Sequence, residues 1–218
     1  MRNAPNAAER VAALLREDLL SGHYQPGERL KQEELAARFQ AGRYTVRSAI
    51  GTLASSGMLD HRANRGAVVP WLTRERVNEL SDHREVLETG ALRRGAALAT
   101  VADATHALER LTSDASWVDV VLTHQRIHHE LVVTAGNDKL VQAYVQCEDE
   151  LLYVVSAVHR DYTAPRLADL HTQLLLGLQR GPEEAVRALE RDLRTGRAAV
   201  HEAVDRAEEP FLPAAASG

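Results

Sequence analysis

The chain has 218 residues, of which 44% are hydrophobic and 26% are charged. This is enough for two modest domains that each bury a core, with one larger domain as the alternative. The sequence shows neither a run of about eighteen apolar residues nor a cationic-then-apolar leader, so we expect a cytoplasmic protein that does not span a membrane. Cys147 is the single cysteine, which excludes an intrachain disulfide.

The net charge of −5 is unevenly distributed along the chain. Residues 1–74 contain 11 Lys and Arg against 7 Asp and Glu, a balance of +4, whereas residues 75–218 contain 15 against 24, a balance of −9. This asymmetry indicates a basic module that meets phosphate and an acidic module that does not. Ordinary solvated surfaces also produce differences of this size, so the charge needs a motif beside it.

The apolar spacing in the first 57 residues predicts three helices, over 8–20, 31–39 and 43–56. Pro26-Gly27 and Ala41-Gly42 supply the breaks between them. Two helices joined by such a short turn are typical of a helix-turn-helix, in which the second helix enters the major groove of DNA. After it, the apolar runs 58–59 and 67–69 flank a basic stretch, which predicts a β-hairpin wing.

The residues that we expect to contact DNA lie at the start of the third helix and in the wing. Arg43 and Arg47 are four residues apart and share one helical face, from which an arginine can donate two parallel hydrogen bonds to guanine or hold a phosphate. The alternative is a solvated helix start with chance arginines. Tyr44 either reaches base edges or packs on its own helix. The DNA-binding candidates are Arg43, Tyr44, Thr45, Arg47, Arg65 and Gly66.

These residues resemble the winged-helix domain of GntR-type regulators over about residues 10–70, which places a DNA-binding domain at 8–70. The motifs that carry the resemblance are Pro26-Gly27-Glu28-Arg29-Leu30, Glu34-Leu35-Ala36, Arg43-x3-Arg47, Leu53-x3-Gly57 and Asn64-Arg65-Gly66. The resemblance implies double-stranded operator DNA as a partner. The chain departs from the family pattern around Tyr44, and Glu33 stands where some relatives carry a DNA-contacting arginine, so the operator sequence is not implied.

The rest of the chain is rich in Ala, Leu, Arg and Glu and shows no sustained strand alternation. With Thr73 as an N-cap, it predicts helices over 74–98, 102–113, 116–135, 138–159, 164–180 and 182–207. The expected fold class is therefore mainly α: an N-terminal winged helix-turn-helix with a small β-hairpin wing, and a C-terminal all-α bundle over 74–207. Residues 208–218 are predicted to form a disordered tail.

Histidines in the predicted bundle have spacing suited to a metal ion. His124 and His128 are four residues apart, so both imidazoles project from one helical face and can share a metal. His129 points about 100° away from that face. His171 lies on a later helix beside its apolar side, and Asp192 on the last helix can supply a carboxylate oxygen.

The same segment is similar to the helical ligand-binding domain, of the FCD type, in the FadR-like branch of GntR regulators, over about residues 75–200. In many members an Asp-x3-His pair and two later histidines hold a divalent metal that presents a carboxylate effector. Here His124 replaces the aspartate, and His128 and His171 take histidine positions. The last position falls on Leu193, so the site uses the adjacent Asp192, or is three-coordinate with water, or has lost its metal.

Neutral imidazoles suit zinc or nickel, and an open coordination position would accept an effector oxygen. The alternative is that His124, His128 and His171 line a metal-free effector cavity. Arg84, one turn before Glu88, pairs either with an effector carboxylate or with Glu88 itself.

We therefore expect a cytoplasmic homodimeric transcriptional regulator, a repressor, that binds a palindromic operator and responds to a small carboxylate effector in the 74–207 effector-binding and dimerisation domain. The alternative is a metal-dependent enzyme with an accessory DNA-binding module. Because no nucleophile motif, phosphate-binding glycine loop or reliably placed general base is found, we expect no enzyme.

Overall fold

The computed structural model describes residues 5–62, 66–95, 97–112, 114–158 and 162–208. Arg65 and residues 209–218 of the predicted tail lie outside these ranges, whereas Glu208 is the last residue of the final helix. In chain order, the elements are α1 (Ala7–Leu20), β1 (Arg29–Leu30), α2 (Gln32–Arg38), α3 (Arg43–Ser55), β2 (Asp60–Arg62), β3 (Gly66–Val68), α4 (Arg74–Arg94), α5 (Leu98–Glu109), α6 (Trp117–Val133), α7 (Asp138–Ser156), α8 (Ala164–Arg180) and α9 (Pro182–Glu208).

The N-terminal domain is a three-helix unit whose α1 and α3 pack against each other. Asn6 begins α1 with a reciprocal capping box to Glu9, which satisfies backbone donors that the helix itself leaves unpaired. Apolar residues at helical spacing then form one core, including the fully buried Leu15, Val46 and Leu53. This core holds α3 in place and leaves the first turn of α3 exposed to solvent.

The predicted hairpin wing is present as β2 and β3, and β1 adds a third antiparallel strand, in the order β1-β3-β2. The additional strand, β1, has two residues and pairs Arg29 with Val68, which is too short to produce a recognisable alternation. The apolar run 58–59 lies just before the first strand of this hairpin, which is Asp60–Arg62. Met58 and Leu59 are buried in the domain core just before β2, so their apolar character reflects packing.

The C-terminal domain is an all-α bundle in which α9 packs along α4 and α8, and α6 packs against α5 and α7. The predicted helices are present, but several ends differ; α5 ends at Glu109 instead of 113, and α7 ends at Ser156 instead of 159. α4 ends at Arg94 instead of 98 because Gly95 has φ +101°, a backbone conformation that continues no right-handed helix. α5 accordingly begins at Leu98 instead of 102.

The two domains are packed directly on each other. Val121 of α6 and Leu152 and Tyr153 of α7 belong to the apolar core of the N-terminal domain. The Tyr153 hydroxyl also donates to the Pro70 carbonyl at 2.9 Å, in the segment that joins the domains. Helix α7 is therefore shared by both cores. In the described part of the chain, no helix has the length and apolarity needed to cross a bilayer.

Gly177 tests the close packing of α8 on α9, the pair of helices that carries His171 and Asp192. In Gly177→Ala the new methyl would lie 2.9 Å from both Ala188 Cβ and the Glu184 carbonyl oxygen. We expect the free energy of unfolding to fall by about 1–3 kcal/mol, measured by urea denaturation followed by circular dichroism.

The matched control is Gly90→Ala, inside α4, where no atom lies within 4 Å of an added Cβ. Here helix propensity dominates, and stability should rise by about 0.5–1 kcal/mol. Equal changes in the two variants would show that α8 and α9 are not packed this closely.

Candidate DNA-binding surface and metal centre

The first turn of α3 presents polar side chains to solvent. Tyr44 is 80% exposed, and the Arg47 guanidinium lies 4.9 Å from the centre of its ring, a cation–π arrangement. Arg43 is exposed beside them, whereas Thr45 is half-buried. Because Val46, Ala49 and Ile50 of the same helix are buried, the arginines and Tyr44 form the outward face.

An acidic side chain from the preceding helix borders this face. Glu33 of α2 lies 3.2 Å from the Arg43 guanidinium, and both side chains are largely exposed. An exposed pair of this kind contributes little to stability, so Arg43 can exchange Glu33 for a phosphate or a base at small cost.

The wing residue Gly66 begins β3 with φ +72°, a conformation that favours glycine, and pairs with Arg62. Its neighbour Arg65, the other expected wing contact, lies outside the described residues. The structure therefore places Gly66, whose backbone can approach DNA closely, and the contact of Arg65 stays a prediction.

Three histidines meet inside the helical bundle. His124, His128 and His171 are buried, and one potential ligand atom from each lies within 4.8 Å of those from the other two. The Nε2 atoms of His128 and His171 are only 3.0 Å apart. Asp192 Oδ2 lies 3.7 Å from each of these nitrogens. The structure thus brings together all four residues that the sequence nominated for a metal.

The hydrogen bonds on the far side of two rings determine which nitrogen carries the proton. The Nδ1 atom of His128 donates to Glu88 Oε2 at 2.9 Å, and the Nδ1 atom of His171 donates to the Leu167 carbonyl at 2.7 Å. Each neutral ring then carries a lone pair on Nε2. Two lone pairs 3.0 Å apart repel each other unless a proton or a metal cation lies between them.

Glu88 lies at the centre of the buried site, and the sequence indicated only one of its contacts. Its fully buried carboxylate accepts hydrogen bonds from Arg84 Nε at 2.7 Å, the Tyr144 hydroxyl at 3.1 Å and His128 Nδ1. Gln125 in turn donates to the Tyr144 hydroxyl. The Arg84-x3-Glu88 spacing signalled the ion pair, but the contacts with His128 and Tyr144 depend on how α4, α6 and α7 are packed.

The electrostatics of this network keep the carboxylate charged and two of the histidines neutral. Burial alone would raise the pKa of Glu88, but the Arg84 charge and the contact with His128 lower it to about 2. Burial, followed by neighbouring positive groups, lowers the pKa of His124 and of His128 below the ordinary histidine value. Neutral imidazole is the form that binds a metal ion.

Beside the histidines lies a cavity of about 60 Å³, room for a few water-sized groups. Asp192 and Leu193 both contribute to its wall. Two buried polar atoms there, His124 Nδ1 and Arg84 Nη2, have no hydrogen-bond partner among the described residues. Buried donors and acceptors of this kind are rare, which is consistent with a ligand at this place.

His129 is separate from this cluster. Its ring faces Glu148 of α7, with Nδ1 3.0 Å from Oε1, and this hydrogen bond raises the pKa of the imidazole. As its helical position predicted, it does not join the three buried histidines.

The fold is that of a DNA-binding protein, a winged helix-turn-helix domain packed on an all-helical domain with a buried polar site. Residues 7–69 match the family model described as bacterial regulatory proteins, gntR family. Residues 7–69 therefore have the sequence of a GntR-type regulator's DNA-binding domain.

Named relatives and a solved structure agree with this assignment. The gluconate operon transcriptional repressor of Bacillus licheniformis is 41% identical over 81 residues, 37% of this chain and 32% of that protein. The Nta operon transcriptional regulator of Aminobacter aminovorans is 27% identical over 128 residues, 56% and 61% of the two chains. The alignments thus span less than two thirds of either curated relative.

A structure described as a GntR transcriptional regulator from Rhodococcus sp. RHA1 is similar over almost the whole chain. It has a TM-score of 0.72 and 25% identity, and the match covers 88% of this chain and 96% of that one. Both domains and their arrangement therefore occur in another chain with a regulator's description.

The Glu88→Gln variant tests the buried network. It removes the charge that balances the buried Arg84 guanidinium, so the free energy of unfolding should fall by about 3–5 kcal/mol in urea denaturation. The control is Asp82→Asn on the same helix. The Asp82 side chain is largely exposed and pairs with Arg197, so losing this ion pair should lower the free energy of unfolding by less than about 1 kcal/mol. Similar losses in both variants would contradict a special role for Glu88.

Proposed function

We propose that this protein is a transcriptional repressor that binds operator DNA through α3 and the wing, and whose affinity is controlled by a carboxylate effector held at a metal in the helical domain. The observation that carries the sensing half is the pair of Nε2 atoms, 3.0 Å apart, on His128 and His171. Repressor is the word used for the Bacillus licheniformis relative, and regulator for the one from Aminobacter aminovorans.

The DNA-binding half is supported by the exposed start of α3. Arg43 and Arg47 extend from one face of a helix whose opposite face is buried, so the helix can enter a major groove without disturbing the core. Gly66, the first residue of β3, has a positive φ and no side chain, so the backbone can closely approach a sugar-phosphate chain at this residue.

One winged helix reads few base pairs, so useful selectivity requires two. We infer that the chain acts as a homodimer, joined through the helical domain, on a palindromic operator whose half-sites match the two α3 helices.

The proposed metal site is supported by the kinds of ligand atom that the buried side chains offer. His124, His128 and His171 are the expected ligands, with Asp192 as the fourth protein donor, and this combination of imidazole and carboxylate suits zinc or nickel. When bound, such an ion supplies a Lewis-acidic centre for a carboxylate oxygen. Glu88 and the Leu167 carbonyl hold two of the rings in the required tautomer.

Arg84 is the residue that we expect to recognise the effector. Its Nε is used by Glu88, but Nη2 is buried without a partner and lines the same cavity. A guanidinium N–H that points toward a metal-bound carboxylate would provide a charge-assisted hydrogen bond. The polar histidines and this arginine favour the FadR-like branch of the family, and a small carboxylate fits the size of the cavity.

The chain is a regulator rather than an enzyme, because the matched family and the named relatives are regulators of transcription. The polar site in the bundle accordingly has a sensing role, in which ligand binding is read out at the DNA.

Arg43→Ala and Arg47→Ala test the DNA-binding surface. The probe is a DNA duplex that the full-length protein selects from a random-sequence library. Each substitution should weaken binding to this duplex by about 1–3 kcal/mol, measured by fluorescence-anisotropy titration. Arg187→Ala, an exposed arginine on α9 that pairs with Glu184, is the matched control and should leave the affinity unchanged. Unaltered affinity in both α3 variants would remove them as recognition residues.

His171→Ala tests the metal site. After dialysis against a weak chelator, elemental analysis should find about one zinc ion per wild-type chain and little in the variant, because a tight site needs the ligand from α8. DNA binding without metal should persist.

His129→Ala removes a histidine that faces Glu148 instead of the cluster, so it should retain the zinc of the wild type. Equal metal in all three proteins, or none in any, would reject the site and favour a metal-free effector cavity.

A further inference from the structure

Helix α7 contacts both the buried site and the DNA-binding domain. Near its middle, the Tyr144 hydroxyl donates to Glu88, the carboxylate that holds His128. Asp149 and Glu150 follow within two turns, about 9 Å further along the helix. At 100° per residue, they project roughly 120–140° away from Tyr144, so the helix lies between the two contacts.

Asp149 binds the two helices that form the core of the DNA-binding domain. Arg16 of α1 forms a two-pronged ion pair with it, at 2.7 and 3.0 Å, and Ser56 donates to its Oδ2 at 2.6 Å. Ser56 is the C-cap of the recognition helix α3. Both charged side chains are mostly buried, so this pair is stronger and more geometrically defined than an exposed one.

Glu150 holds the turn that follows α3, through Arg76 of α4. The Arg76 guanidinium donates to Glu150 at 2.6 Å, to Asp60 of β2 at 2.9 Å and to the Gly57 carbonyl at 2.7 Å. A Cβ at Gly57 would lie 2.5 Å from a Glu150 carboxylate oxygen, so the backbone approaches this close only because residue 57 is glycine.

From these contacts we infer that α7 transmits the state of the histidine site to the recognition helix and wing. This inference rests on the proposed function and names its route of regulation. Ligand binding at His128 changes the hydrogen bonds of Glu88 and Tyr144. Because α7 is a rigid helix, a displacement of Tyr144 also moves Asp149 and Glu150. The ion pairs then move α3 and β2 relative to the bundle, which changes how two α3 helices fit an operator.

The chain contains its own reporter for this movement. Its two tryptophans, Trp71 and Trp117, both line a cavity of about 560 Å³ between the domains, together with Leu20 of α1 and Tyr153 of α7. Trp117 Nε1 also donates to the Ser156 carbonyl, at the end of α7. Tryptophan emission therefore measures the packing between domains when no DNA is present.

The test uses the full chain, Zn²⁺ as the probe and the selected duplex, with Asp149→Asn as the main variant. In the wild type, we expect Zn²⁺ to shift tryptophan emission and to change the duplex affinity at least fivefold. Asp149→Asn should retain about one zinc ion per chain, yet its zinc-dependent change in affinity should fall at least threefold, with a smaller emission shift. Asp82→Asn, which breaks an ion pair within the helical domain, should behave as wild type.

Ser56→Ala is a milder second variant that keeps the Arg16 pair, and it should lower the zinc response in the same direction if Asp149→Asn does not fold. Retained zinc with an unchanged affinity ratio in the folded variants would overturn the relay but leave the metal site standing. A wild type that binds zinc without any change in emission or affinity would overturn it too. A wild type that retains no zinc would reject the proposed metal function, and the relay with it.

Discussion

The buried carboxylate of Glu88 is the constraint on which the helical domain depends. A fully buried ionised group costs several kcal/mol unless charges and hydrogen bonds compensate for it, and Glu88 obtains them from Arg84, His128 and Tyr144. Those three partners come from α4, α6 and α7. The requirement to satisfy one carboxylate therefore fixes three helices relative to one another and holds His128 in the tautomer that a metal ligand needs.

The same network explains why a site for a ligand can exist in a closely packed bundle. The bundle core is mostly apolar, yet His124 and Arg84 each keep a buried polar atom without a hydrogen-bond partner next to a small cavity. Unpaired buried atoms of this kind lower the stability of a fold, and the proposed effector would supply their partners. Under the proposed function, effector binding would therefore stabilise the bundle.

The interface between the domains has a different chemistry. It combines apolar contacts of Leu152 and Tyr153 with half-buried ion pairs at Arg16 and Arg76. These contacts hold the two domains together and also fix their relative orientation. An interface of apolar contacts alone could slide, whereas paired guanidinium and carboxylate groups have few satisfactory geometries. The orientation of α3 relative to the bundle is therefore fixed by these contacts with α7.

Local sequence signals determined most of the secondary structure. Glycine and proline breaks, helix caps and apolar spacing placed α1, α3, α8 and α9 to within about a residue or two. The i, i+4 spacing placed His124 and His128 on one helical face. Tertiary structure decided the rest. Strand β1 is too short to show a pattern, and the neighbours of Glu88, Asp149 and Arg76 are distant in sequence. Hydrogen bonds across the bundle and between domains depend on packing, which local periodicity does not encode.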